Sequence, residues 1–214
     1  MGLMCTVGRR IAAMVALIAP VMVALSVETT AQGADDLNAL NEQVSQLHKQ
    51  GKFNQAYPIA RRYVASARAQ YGEEHLQFAT ALAWLAEIYR GQGRYTEAEP
   101  NYKRSIAIQE KTSSGEAGVA NTLANLGVLY EAQGRYADAE KAFKRILSTS
   151  EKTLGPQHQS VAMTQSNLAG IYQQQGRHHD AERLYKGSIA TYEKVLGPDH
   201  PHVGSAITGL GVLY

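Results

Sequence analysis

The chain has 214 residues, with 21 Lys and Arg against 19 Asp and Glu. Outside residues 1–33, which hold Arg9, Arg10 and Glu28, 19 basic residues face 18 acidic ones, so long-range attraction to nucleic acid or to an anionic membrane has little basis. The only cysteine is Cys5, which excludes a disulfide framework.

The first segment has the pattern of a targeting signal. MGLMCTVGRR is a short basic region, IAAMVALIAPVMVALSV is an uncharged run, and TTAQGA supplies small residues for cleavage after Ala31 or Gly33. The expectation is an export signal over residues 1–33, an exported periplasmic or secreted product, and no membrane association once the segment is removed. The competing reading is an uncleaved anchor, but the run is short of the ~20 apolar residues of a spanning helix and is broken by Pro20. Cys5 precedes the run, where a lipidation cysteine would follow it, and Arg9-Arg10 is only a loose match to a twin-arginine signal.

From Asp35 to Lys49 the chain takes a helical pattern, with Leu37, Leu40, Val44 and Leu47 on one face. Gly51 ends it, and a second helix is expected over Asn54 to Ala69, carrying Ala56, Ala60 and Val64. The same plan then recurs. The element Gln-Gly-Arg/Lys has its glycine at Gly51, Gly93, Gly134 and Gly176; tyrosines stand at Tyr89, Tyr130, Tyr172 and Tyr214, and alanines at Ala56, Ala98, Ala139 and Ala181. The beat is about 42 residues, which marks an array of stacked hairpins. Cut by this beat, the repeats are 36–79, 80–120, 121–162 and 163–204, with a partial fifth over 205–214. KTSSGEAG shortens one connection by a single residue without breaking the register.

Within the array the first repeat is the least regular. Gln43 stands where later copies have leucine, as expected of a capping unit with one face in water. Pro58 and Pro100 fall early in their helices, where a proline forfeits little and a mild bend is expected at most. Small residues alternate with rings: Gly127 and Ala169 allow close approach, and Phe143 and Tyr185 fill the space between hairpins. At the end, SAITGLGVLY is a first helix without its partner and is expected to leave Leu210 and Leu213 partly uncovered.

The pattern L-(G/A)-x-x-Y, then Q-G-(R/K)-Y-x-x-A-E, then L-G-P-x-H, as in LGVLY, QGRYADAE and LGPQH, resembles the tetratricopeptide repeat. More narrowly it is similar to the 42-residue variety of kinesin light chains and of many bacterial proteins, over about Asp36 to Tyr214. The resemblance implies an all-α solenoid, a right-handed superhelix of antiparallel hairpins whose first helices line a concave groove for a peptide or helix. In that family the residue two before the small Gly/Ala position often faces the groove. Here it is Trp84, Asn125 and Asn167, with Glu42 and Gly209 departing; neighbouring groove positions are Thr80, Asn121, Met163 and Glu87. A row of carboxamides can hold a ligand backbone through both donor and acceptor. The alternative is that the asparagines bond between helices and that Trp84 is core. Chaperone-binding relatives clamp a terminal carboxylate with lysine and arginine at these positions, and none of the seven is basic.

Chemistry is not indicated. His75, His158 and His200 recur at one loop position, as a repeated turn would place them, where ligands of one metal ion would have to converge. His178-His179 and His200-Pro201-His202 are expected on the surface. No G-x-S-x-G, phosphate loop or H-E-x-x-H occurs, so no cofactor or metal is expected. Pairs such as Glu97 and Glu99 recur with the repeat and are expected to mark a solvated helix face. The expectation is a non-enzymatic interaction scaffold with a protein or peptide ligand. Two alternatives stand beside it: a recognition array preceding an enzyme domain such as a caspase-like peptidase, motivated by the end at Tyr214, and self-association through the uncovered last helix.

Overall fold

The computed structural model describes residues 36–112 and 116–214. The expected targeting segment, 1–33, and the middle of the shortened KTSSGEAG connection lie outside the described residues. Among the described residues there are nine helices and no strand. They form four antiparallel hairpins and one further helix: α1 (Leu37–Lys49) with α2 (Phe53–Tyr71), α3 (Leu76–Gly91) with α4 (Tyr95–Lys111), α5 (Glu116–Ala132) with α6 (Tyr136–Leu154), α7 (Gln159–Gln174) with α8 (His178–Leu196), then α9 (Pro201–Gly211). Each helix packs on the next, and α1 also meets α3, α3 meets α5 and α7 meets α9. This is the all-α solenoid, a right-handed superhelix, with Leu37–Tyr214 as one unit.

Each hairpin turn is closed by its glycine. Gly93 takes φ +73°, a conformation that residues with a Cβ adopt at a cost. Its N–H donates to the Arg90 carbonyl at 2.9 Å while the Arg94 N–H reaches back to that of Tyr89 at 2.9 Å, the paired bonds of a Schellman ending. The arginine that closes the turn then lies over the tyrosine that started it: Arg94 on Tyr89 at 4.4 Å, Arg135 on Tyr130 at 4.2 Å and Arg177 on Tyr172 at 3.8 Å. The recurring Y-x-x-x-G-R spacing is therefore one local device. It satisfies the helix end and stacks a cation on a ring.

Between hairpins the histidines start the next helix. His75, His158 and His200 accept through Nδ1 from the backbone N–H of Gln77, Ser160 and His202 at 3.1, 3.1 and 3.2 Å, each an N-cap in extended backbone. The expected turn role is theirs, and it moves the helix starts to Leu76, Gln159 and Pro201. These lie about one turn before the cuts at Thr80, Met163 and Ser205, because a sequence period has no intrinsic origin and the caps supply one.

The core is built from small residues against rings. Ala86, Ala98, Tyr102, Ala139, Phe143, Ala169 and Ala181 are all buried. A Cβ on Gly127 would fall 2.9 Å from the Phe143 ring, so the glycine is what admits that ring. Gln43 is exposed where Leu85, Leu126 and Leu168 are buried, as a capping unit requires. Leu210 and Leu213 are partly buried.

A second device joins one hairpin to the next and corrects the expectation of solvated glutamate pairs. Glu97 does pair locally with Arg94, but Glu99 lies across the joint and accepts from Arg135 of the following turn at 2.7 Å and from the Tyr130 hydroxyl at 3.1 Å. One repeat on, Glu140 accepts from Arg177 at 3.1 Å. Each carboxylate also has a lysine four residues ahead, Lys103 at 2.7 Å and Lys144 at 2.6 Å. The arginines are held from behind by Asp138 and Asp180. At the first joint Tyr57 occupies the carboxylate position, and Arg94 lies 5.3 Å from its ring. Partial burial raises the Glu99 and Glu140 pKa values, but the hydrogen bonds from the basic groups and their neighbours outweigh it and hold both at about 2.

Candidate functional site

Of the seven expected groove residues, Thr80, Trp84 and Glu87 lie on α3, Asn121 and Asn125 on α5, and Met163 and Asn167 on α7. Their surroundings divide them. On α5 and α7, Asn121 and Asn167 are exposed and Asn125 is half-buried, and none of the three carboxamides makes a side-chain hydrogen bond among the described residues. Asn121, Met163 and Asn167 edge one cleft of about 160 Å³ between α5, α6 and α7. Its deep wall is Phe143 and Ile146, and Leu154 and Met163 stand at its rim. Two asparagines and one thioether thus share a concavity.

On α3 the surroundings are different. Trp84 is half-buried and its indole N–H donates to the Asn41 side-chain oxygen at 2.6 Å, while His48 meets its ring edge-on at 5.6 Å. The Thr80 hydroxyl donates to the Leu76 carbonyl at 3.0 Å within its own helix. The indole N–H of Trp84 is thus already engaged within the stack.

Glu87 does not join the groove set. It is 6% exposed, and its carboxylate accepts from the Tyr102 hydroxyl at 2.5 Å and from Arg90 at 2.8 Å, with His48 at 3.3 Å. A buried carboxylate needs such donors, and Tyr102 and Arg90 supply them from within the stack. Burial and the adjacent Glu87 charge push the Tyr102 hydroxyl pKa up; burial works against the Arg90 charge, but the bond to Glu87 outweighs it and raises the guanidinium. Glu87 and Tyr102 join α3 to α4 within the second hairpin, and His48 is the contact from the first. The offset of Glu87 in later repeats carries Val128 and Gly170, so the repeat gave no indication of this joint.

Asn41 was not anticipated. The equivalent position in the next repeat is Ala83, and a contact made once in the array leaves no periodic trace. As for metals, no group of three or more His, Cys, Asp and Glu among the described residues is placed to hold an ion. Nor is any described helix long and apolar enough to cross a membrane.

Comparison with known proteins extends this picture. The family model for the tetratricopeptide repeat matches residues 35–111, 77–152, 118–194 and 160–214. A crystal structure of nearly identical TPR-like repeats, assigned to a kinesin light chain of Podosopora anserina, aligns at 25% identity and a TM-score of 0.72, covering 83% of this chain and 85% of that one. BtubC (BKLC) from P. vanneervenii aligns at 22% identity and a TM-score of 0.59, over 84% of this chain and 66% of that one. Aspartyl phosphate phosphatase F from Bacillus subtilis, at 14% identity, aligns at a TM-score of 0.73 over 84% of this chain and 46% of its own; these last two likenesses concern the fold alone. No curated protein sequence matches the chain.

Proposed function

We propose, from the premise that this chain belongs to the tetratricopeptide repeat family and is of the kinesin light chain-like type, that it is an exported, non-enzymatic scaffold that holds a peptide segment of a partner protein against α5 and α7. Arrays of this repeat serve as protein–protein interaction scaffolds. One observation carries the finer reading: the carboxamides of Asn121, Asn125 and Asn167 make no side-chain hydrogen bond among the described residues, and two of them edge a cleft. Each offers a donor and an acceptor that an extended backbone can satisfy. Trp84 and Thr80 extend the surface on α3 as apolar area, their polar atoms being engaged elsewhere. Export rests on the pattern of residues 1–33, and N-terminal sequencing of the protein recovered outside the cytoplasm tests it: a new terminus after Ala31 or Gly33 is expected, and an intact Met1 refutes cleavage.

The groove is tested by selecting peptides from a random library displayed on phage against the full 214-residue chain. Replacing Asn121, Asn125 and Asn167 together by Ala should weaken the selected peptides by at least roughly tenfold, since each lost hydrogen bond is worth on the order of 1 kcal/mol. Thermal melting should stay near the parent's. A large loss of stability would assign the three asparagines to structure, and peptides bound undiminished would place the binding surface elsewhere.

A further inference from the structure

The cleft beside these asparagines has a chemistry of its own. None of the residues lining it ionises, although α6 carries Lys144 paired with Glu140 and Arg145 paired with Glu110 on its other faces. The floor is apolar, with Phe143 1% and Ile146 6% exposed, and the rim carries Leu154 and Met163, each with about half of its surface open to solvent at 49% and 46%. The hydroxyls of Thr153 and Thr164 donate to the carbonyls of Thr149 and Ser160 at 3.0 and 2.8 Å, so they ask nothing polar of an occupant. A charged side chain entering here would lose its hydration and find no counter-charge. In volume the cleft, about 160 Å³, is close to the roughly 150 Å³ apolar cavity that accommodates benzene in another protein.

We propose that this cleft is a subsite for one uncharged apolar side chain, of leucine to phenylalanine size, carried by the peptide whose backbone Asn121 and Asn167 hold. The inference rests on the groove reading and names its ligand class: a segment with an aliphatic or aromatic residue at this position and no charge on it. Specificity comes from exclusion as much as attraction, because a wall without counter-ions rejects acidic and basic side chains alike.

Three probes with one ring and three charges test it: toluene, benzoate and benzylammonium, each titrated into the full chain while the side-chain carboxamide resonances of Asn121 and Asn167 are followed by NMR. Toluene should shift both resonances, and the two ions should need at least a roughly tenfold higher concentration for the same shift. Ala124→Phe, which places a ring in the cleft, should abolish the toluene response. Should that variant fail to fold, Met163→Lys, on the exposed rim, introduces the excluded charge without disturbing the core and should weaken the response. Equal responses to the charged probes, or a toluene response that survives both substitutions, overturns the subsite. Selected peptides that depend on the asparagines while toluene never reaches them would refute the subsite and leave the groove reading intact. Toluene bound with no peptide selected would refute the groove reading itself, and the subsite with it.

Discussion

Replacing Gly127 by Ala should destabilise the array, although alanine is the better helix former. Gly127 lies inside α5, where the exchange would by itself gain about 1 kcal/mol of helix propensity. Against that, the new Cβ would lie 2.9 Å from one atom of the Phe143 ring and 3.0 Å from another, and Phe143 is 1% exposed, its ring packed in the core of the hairpin. Overpacking of this kind costs about 1–3 kcal/mol, so a net loss of about 1 kcal/mol is expected, a fall of roughly 2–4 °C in Tm for a chain of this size. The other repeats show how alanine is accommodated at this position. Ala86 and Ala169 stand in register with Tyr102 and Tyr185, whose hydroxyls bond to Glu87 and Gln173, an anchor that the Phe143 ring lacks. Gly127→Ala combined with Phe143→Tyr, with Glu131 standing where Gln173 serves Tyr185, should therefore recover part of the loss. Circular dichroism melts of the parent, the single and the double variant decide it. A Tm for Gly127→Ala at or above that of the parent would show that the ring yields freely, and the close-packing account of the hairpin core would be wrong.

Acid should act first at the joints. Glu99 and Glu140 sit at about 2 in the folded chain against about 4.3 for an unfolded glutamate. Their contribution is therefore complete above the unfolded value and is lost as pH falls from about 4.3 through about 2. Glu99→Gln with Glu140→Gln should flatten that part of the stability curve, modestly because the lysines and arginines that hold these carboxylates are themselves largely in solvent, and an unchanged acid limb would refute the assignment. The N-cap at His158 should be worth about 1 kcal/mol, lost in His158→Ala and kept in His158→Asn. Hydrogen exchange at the start of α7 would report it, and equal protection in all three proteins would show that the imidazole is not the cap.

The fold was legible because identical residues at equal spacing must sit in equivalent places, and three or four copies leave little freedom of interpretation. What escaped falls into two kinds. The contacts of Glu99 with Arg135 and of Glu140 with Arg177 repeat faithfully, yet each bond spans 36 or 37 residues. A periodic glutamate looks the same in sequence whether it faces water or the next repeat. The contacts of Trp84 with Asn41 and of Glu87 with Tyr102 occur once, so the repeat gave no sign of the partners of either. At the candidate site the positions on α5 and α7 came from the family resemblance. The cleft beside them was not legible, because it depends on Thr153 and Leu154 at the far end of α6, which approach α7 only once the hairpin is folded.

The rungs between hairpins also bear on how such a chain can grow. The hairpins of α3 with α4 and of α5 with α6 each bring an arginine that reaches the unit before and a glutamate that reaches the unit after, with Tyr57 taking the glutamate's place at the first joint. The halves of each fastener are thus always supplied by different copies, like the tongue and groove of floorboards. A duplicated or excised interior unit would arrive with both edges already matched to its new neighbours. Gene duplication can therefore lengthen or shorten this array in single steps without inventing a new joint.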